Sequence, residues 1–284
     1  MSRRRQRERS QAAVQGGRGA AAGTASAVNG SPAAVTPETA RTPRRAAGKR
    51  VKPVRRMSID VLRGGAICLM IVYHFSFDLR YFRAIAADFE HDPFWLGFRA
   101  LIVTSFMALV GVSLVLADVA GTSRVKFWRR IALVAACALA ATIGSYLVFP
   151  RRYIFFGILH CIAVASVLAW PLVRRPRAAV AAGLAIVAAG LTLSHPAFDH
   201  RALSWLGFTT MKPATEDYVP LAPWLGVVLI GIGIGRALVA TQFRAVAPLA
   251  AAPAWLRWLG RHSLAVYMIH QPVLLGLLWV VLGR

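Results

Sequence analysis

From Ser58 to Phe82 the chain reads SIDVLRGGAICLMIVYHFSFDLRYF, an apolar run interrupted by Asp60, Arg63, His74 and Asp78. About 20 residues cross a hydrocarbon core of about 30 Å, so the run is long enough to span a bilayer as a helix. At about 100° per residue Asp60, Arg63, Ile67, Met70, His74 and Asp78 share one narrow stripe, leaving Leu69, Ile71 and Val72 for another side. Further apolar runs follow near 94–118, 127–148, 153–173, 178–194, 220–240 and 262–282. Pro150, Pro171, Pro176, Pro196, Pro220 and Pro253 fall at or close to their ends, where a missing amide donor costs least. The pattern predicts an all-α fold, a polytopic transmembrane helix bundle of about seven spans.

Composition agrees: 57% hydrophobic, 16% charged and a mean hydropathy of +0.55 describe a chain too apolar for an ordinary soluble domain. The formal charge of +23 would suggest a nucleic-acid partner on a soluble surface, but its placement argues against one. Residues 1–56 hold 14 Arg and Lys against Glu8 and Glu38 in a stretch rich in Ala, Gly, Ser, Thr and Pro. They are expected to form a disordered, basic cytoplasmic tail, distinct from a membrane domain over 57–284. Since no apolar run follows the basic start, the tail does not read as a signal peptide. Arg124, Lys126, Arg129, Arg130, Arg174, Arg175, Arg177, Arg236, Arg244, Arg257 and Arg261 fall on the side of the tail, which the positive-inside rule makes cytoplasmic. This puts the N-terminus in and the C-terminus out. The opposite side receives most acids, including Asp88, Glu90, Asp92, Asp199, Glu216 and Asp217.

Four polar groups inside a spanning helix are expensive, and such groups mark function by default. Arg63 and His74 lie about 16 Å apart along the axis at about 1.5 Å per residue. Asp78, one turn beyond His74 on the same face, is placed to hold its imidazole in one tautomer. Three more histidines sit in or at the ends of apolar runs. Arg63, Arg261 and His262 are expected to form an inner basic mouth, His270 a middle level, and His74 with His160 an outer level. Asp60 and Arg63 are also spaced for an ion pair within the helix. The long connection Ser194–Val219 is expected to cover an outward-opening site or to be simply solvated. Gly231 and Gly235 have the spacing of close helix packing, and the GIGIG around them lacks the context of a phosphate loop. Cys68, Cys137 and Cys161 read as buried free thiols, and no spacing suggests a metal site.

The Asp60-x-x-Arg63-Gly64 opening with His74 eleven residues after the arginine resembles the first helix of transmembrane acyltransferases, including acyltransferase family 3. Together with FGILHCIA (156–163), DYVPLAPWLG (217–226) and GRHSLAVYMIHQP (260–272), it is most similar to bacterial members of the heparan-alpha-glucosaminide N-acetyltransferase catalytic-domain family. The resemblance covers residues 57–284. It implies transfer of an acetyl or other acyl group from cytoplasmic acetyl-CoA to an amino or hydroxyl group of an envelope sugar or glycan, in a bacterial plasma (inner) membrane. Asp60, Arg63, Arg261, His262 and His270 would then line the path of coenzyme A, with cations on its phosphates. His74 would act as base, oriented by Asp78, and His160 would polarise the thioester carbonyl. In the animal branch of the resemblance an Asn stands at the place of His74, and a functional His precedes a Trp in the next loop. That makes His91, ahead of Trp95, a competing base. The partners expected are membrane lipid, the acyl-CoA donor and the acceptor, without metal. A rival from another class is a transporter of a small or lipid-linked sugar using the histidines as a proton relay, and a third is a non-catalytic membrane assembly partner.

Overall fold

The computed structural model describes residues 53–283, with side chains from 57 onward. The expected tail lies, for residues 1–52, outside the described residues; Pro53–Arg56 already belong to the first helix. In chain order the helices are α1 (Pro53–Tyr81), α2 (Pro93–Val119), α3 (Arg124–Val148), α4 (Ile158–Ala169), α5 (Pro176–Thr192), α6 (Arg201–Ser204), α7 (Leu221–Ala240), α8 (Ala254–Arg261) and α9 (Ser263–Leu282). The architecture is all-α, with a single parallel bridge between Phe156 and Tyr218 among the described residues. Among the described residues, five helices are long and apolar enough to cross a membrane: α1, α2, α3, α7 and α9. The apolar stretches Ile158–Leu172 and Pro176–Thr192 are shorter.

Local signals set the helix starts. Asp92 accepts the Phe94 amide at 2.9 Å ahead of Pro93 in the first turn of α2, and Ser123 accepts the Lys126 amide at 3.4 Å at the start of α3. The fourth apolar run becomes helical only at Ile158, later than its hydropathy suggests. Residues 152–156 are drawn instead into extended pairing with 215–219. The Glu216 amide donates to the Arg152 carbonyl at 2.9 Å, Thr215 Oγ1 to the Tyr153 carbonyl at 2.8 Å, and the Val219 amide to the Phe156 carbonyl at 3.4 Å. The connection Ser194–Val219 is thus an ordered cap; its Trp205 and Leu206 carbonyls accept the Leu221 and Ala222 amides, both at 2.8 Å.

The core lies where α2, α4 and α7 meet, and Met107, Val115, Cys161, Ala165, Val228 and Ile232 are wholly buried there. Glycines let α7 approach both neighbours. A methyl group at Gly231 would collide with the Ala108 backbone of α2, and one at Gly226 with the Gly183 carbonyl of α5. Gly235 also faces α2, against Val112 and Val115, so the small residues expected to favour close packing do lie at a helix contact. On α3 and α9 the balance reverses: Leu133, Leu139, Ile143 and Leu147, and Ile269, Val273 and Leu277, all remain exposed. In a chain of this hydropathy that is the surface a bilayer covers.

Helix α8 has no counterpart in the predicted spans. It lies along the start of α1, where a β-carbon at Gly64 would strike the Leu256 carbonyl and one at Gly260 the Asp60 carbonyl. Its Trp255 and Trp258 stay exposed. By holding Gly260 beside Asp60, α8 starts α9 level with the early turns of α1, and the two helices then rise side by side.

Candidate functional site

The polar stripe of α1 divides into two ends. At the later end Asp78 is 1% exposed. Its Oδ1 accepts Nε2 of Gln271 on α9 at 2.8 Å, while its Oδ2 is buried without a partner. Gln271 Oε1, turned away from the carboxylate, is likewise unpartnered. The neighbouring His270 has its ring 5.0 Å from that of His74, edge to face. His270 Nδ1 lies 2.6 Å from the Tyr267 carbonyl oxygen. A carbonyl carries no proton, so Nδ1 donates, and in the neutral ring Nε2 is left with a lone pair. That Nε2 is buried and has no partner. Three buried acceptors on α1 and α9, a carboxylate oxygen, an amide oxygen and an imidazole nitrogen, therefore have nothing donating to them. An unmet buried acceptor costs about 1 to 3 kcal/mol, so the cluster is suited to a ligand rich in N–H or O–H groups.

This arrangement alters the expected levels. His270, placed midway by counting along its helix, stands beside His74, because α8 sets the start of α9 against α1. No hydrogen bond joins His74 to Asp78; Gln271 takes the place beside the carboxylate. His160 does not meet His74. The late start of α4 moves it into the first turn, where Nδ1 accepts the Gly157 amide at 3.2 Å and Nε2 lies 3.3 Å from Thr142 Oγ1. Thr142 in turn donates to the Ile154 carbonyl at 2.7 Å. With both nitrogens engaged, His160 clips the end of α3 to the start of α4. His91 is on the exposed connection before α2, with Nδ1 3.0 Å from Asp88 Oδ2.

At the early end, Asp60 lies between two guanidiniums, 3.6 Å from Arg63 Nη1 and 3.8 Å from Arg261 Nε. Arg63 also donates from Nη2 to Ser113 Oγ at 2.6 Å, which turns its side chain toward α2. His262 stays exposed, its Nδ1 2.9 Å from the Trp258 carbonyl and its ring stacked 4.7 Å from that indole. Asp60, Arg63 and Arg261 are therefore brought together, and His262 flanks them. Two open depressions lie elsewhere, one on the face of α5 and one beyond the end of α1.

Over the later end sits a ring of aromatics. Tyr73 meets Phe89, Trp95 and Phe98 at centroid distances of 5.5, 6.1 and 5.9 Å. Asp217, ahead of α7, accepts the Ile158 amide at 2.8 Å and so caps α4. Burial raises its carboxyl above the ordinary range, partly offset by that amide and by the positive charges of Arg99 and Lys212. Burial lowers the Lys212 ammonium, and Arg99 adds to the effect. Gln271 is the member of this cluster that sequence reasoning missed. It stands in the GRHSLAVYMIHQP segment, but a neutral amide in an apolar run carries no charge signal. Among the described residues no group of three or more His, Cys, Asp or Glu side chains is placed to hold a metal ion.

A family model described as heparan-alpha-glucosaminide N-acetyltransferase, catalytic, covers residues 55–272. No curated protein matches, and no solved structure does.

Proposed function

Because the chain belongs to the heparan-alpha-glucosaminide N-acetyltransferase catalytic family, a family of membrane acetyltransferases, we propose that it moves an acetyl group from acetyl-CoA to a sugar amine. The donor would enter from the cytosol and the acceptor from the other face of a bacterial plasma membrane. The observation that carries the choice of an amine is the set of three unmet acceptors, Asp78 Oδ2, Gln271 Oε1 and His270 Nε2. A primary ammonium brings three N–H donors and a positive charge to a carboxylate, whereas a hydroxyl brings one donor and no charge.

The steps use this chain's own groups. Arg63 and Arg261 hold the phosphates of coenzyme A, and the pantetheine arm reaches from them toward His74, about 16 Å further along the bundle. Asp78 and Gln271 orient the amine. The imidazole pair His74 and His270 takes one proton from the ammonium and releases it to water, freeing the nitrogen to attack the thioester carbonyl. The C–N bond forms, the C–S bond breaks, and the second proton shed by the nitrogen passes by way of the same imidazoles to the departing thiolate. The transporter reading needs an unbroken relay of histidines, and the engagement of both His160 nitrogens weighs against it.

The test is release of coenzyme A by purified protein given acetyl-CoA and glucosamine, with glucose as the hydroxyl-only control. Release with glucosamine alone is the expected result. Release with glucose at an equal rate would refute the amine assignment, and release with neither would refute sugar acetylation.

A further inference from the structure

Helix α1 closes with paired bonds that usually have glycine at their centre. The Ala84 amide donates to the Leu79 carbonyl at 2.8 Å and the Arg83 amide to the Arg80 carbonyl at 2.9 Å, as in a Schellman motif. The residue beyond the helix must then be left-handed, a conformation glycine adopts freely and a residue with a β-carbon resists. Here it is Arg83, with φ of 59°. A side chain kept at such a place points to a role for that side chain.

Arg83 and Arg80 line an open depression of about 590 Å³ together with Asp88 and residues 84–87. Neither guanidinium has a hydrogen bond or ion pair to any described residue. Asp88 does not neutralise them, because both of its oxygens are turned to its own loop. Oδ1 accepts the Glu90 and His91 amides at 2.9 and 3.0 Å, and Oδ2 lies 3.0 Å from His91 Nδ1. The carbonyl end of a helix repels anions over its last turn, so any attraction must come from the two long side chains. Paired guanidinium forks are the side chains best matched to phosphate oxygens.

The geometry points to a phosphate site at the end of α1, formed by Arg80 and Arg83, that takes the phosphate or diphosphate ester of a molecule at the membrane surface. Arg80 is two residues beyond Asp78, about 3 Å further along the axis but about 200° round it, so the site stands near the level of the cluster assigned to the amine on another face of α1. The inference rests on the proposed acetyl transfer in one respect: it makes the ester part of the acceptor. An anionic phospholipid headgroup offers the same chemistry.

The experiment is pyrophosphate binding to the full chain in phosphatidylcholine nanodiscs, read by phosphorus NMR with coenzyme A present to occupy the Arg63 and Arg261 end. Arg80→Gln and Arg83→Gln should each weaken binding by about tenfold, the loss of one charged hydrogen bond. Arg83→Gly should weaken it equally while raising the melting temperature, since glycine relieves the left-handed residue. A purely structural Arg83 would not separate the two readouts. Displacement of pyrophosphate by glucosamine phosphate, and not by glucosamine, assigns the site to the acceptor. Displacement by phosphatidic acid in the nanodisc assigns it to a lipid headgroup. No binding, affinity unchanged in all three variants, or displacement by neither ester would overturn the proposal. Binding is read without turnover, so failure of acetyl transfer and failure of this site are separate results.

Discussion

Asp78 and Asp118 are both largely withdrawn from solvent, and their surroundings are opposite. Asp118, near the end of α2, receives Arg174 Nε on one oxygen at 2.9 Å and Arg236 Nη2 on the other at 2.5 Å. Arg236 also donates to the Val173 carbonyl, from Nε at 3.1 Å and Nη2 at 2.9 Å. That network ties α2, α7 and the segment after α4 together and leaves neither oxygen of Asp118 unmet. Asp78 receives one donor, and its other oxygen, its amide partner's oxygen and a nearby imidazole nitrogen have none. Burial and charge are therefore poor guides to which polar cluster works on a ligand. Unmet hydrogen-bonding capacity separates them, because a protein that gained nothing from it would do better with apolar packing.

The largest expected effects fall on the open cluster and on turnover. Asp78→Asn keeps the shape and the Gln271 contact but removes the charge, and His74→Ala and His270→Ala remove the proposed base. Each should lower kcat by about 10² to 10⁴, the range of general acid–base catalysis, with the melting temperature held or raised. His91→Ala should leave turnover intact; if it alone abolished release of coenzyme A, the base would belong to the exposed connection.

The closed cluster should answer in stability instead. Asp118→Ala leaves Arg236, whose side chain is 26% exposed, facing α2 without its carboxylate. A broken buried pair costs about 3 to 5 kcal/mol, and the low end applies because Arg174 is 83% exposed and can turn to water. Thermal unfolding in detergent should show the loss, with kcat per folded molecule little changed. A stable but inactive Asp118→Ala protein would erase the distinction between the two clusters.

Arg63 tests the other end of the stripe, with an intermediate effect. Arg63→Gln keeps a donor for Ser113 but removes a charge proposed to hold a phosphate. The KM for acetyl-CoA should rise about tenfold to a hundredfold, equivalent to about 1.5 to 3 kcal/mol, with kcat nearly unchanged. An unaltered KM would leave Arg63 only its bonds to Asp60 and Ser113.

The helices and the α1 stripe were legible in the sequence because hydropathy and a 3.6-residue period carry them. The levels of His160 and His270 were not. Counting depth from the start of an apolar run presumes that the helix starts there, but pairing of 152–156 with the distant 215–219 shortens α4 and turns His160 into a cap. His270 was misplaced for a related reason: α8, eight residues with two exposed tryptophans, was read as connection, and it decides where α9 begins. Gln271 stayed hidden because an amide's role depends on what it faces, here a carboxylate 193 residues away. The closed Asp118 network was equally hidden; its arginines counted only as cytoplasmic charge.

Asp217 sharpens the comparison from between the two cases, and its effect is the smallest. One of its oxygens caps α4 through the Ile158 amide at 2.8 Å, and burial still raises its carboxyl above the ordinary value of 3.8. A carboxyl raised on folding binds its proton more tightly in the folded chain. Stability therefore falls as pH climbs from 3.8 through the raised value and is level above it. Asp88 and Asp199 act in the opposite sense. The Glu90 amide and His91 hold Asp88 below the ordinary range, and the Thr210 side chain and amide do so for Asp199, so their contributions are lost as pH falls. The net slope of the native protein mixes these terms, and only a difference isolates Asp217. Asp217→Asn keeps an oxygen for the Ile158 amide and removes the titration. Subtracting its melting temperature from that of the native protein, pH by pH, should leave a curve that declines as pH rises from the ordinary carboxylate value and then levels off. A flat difference would mean that the cap and the two neighbouring cations already satisfy Asp217, which would group it with Asp118 as a closed carboxylate.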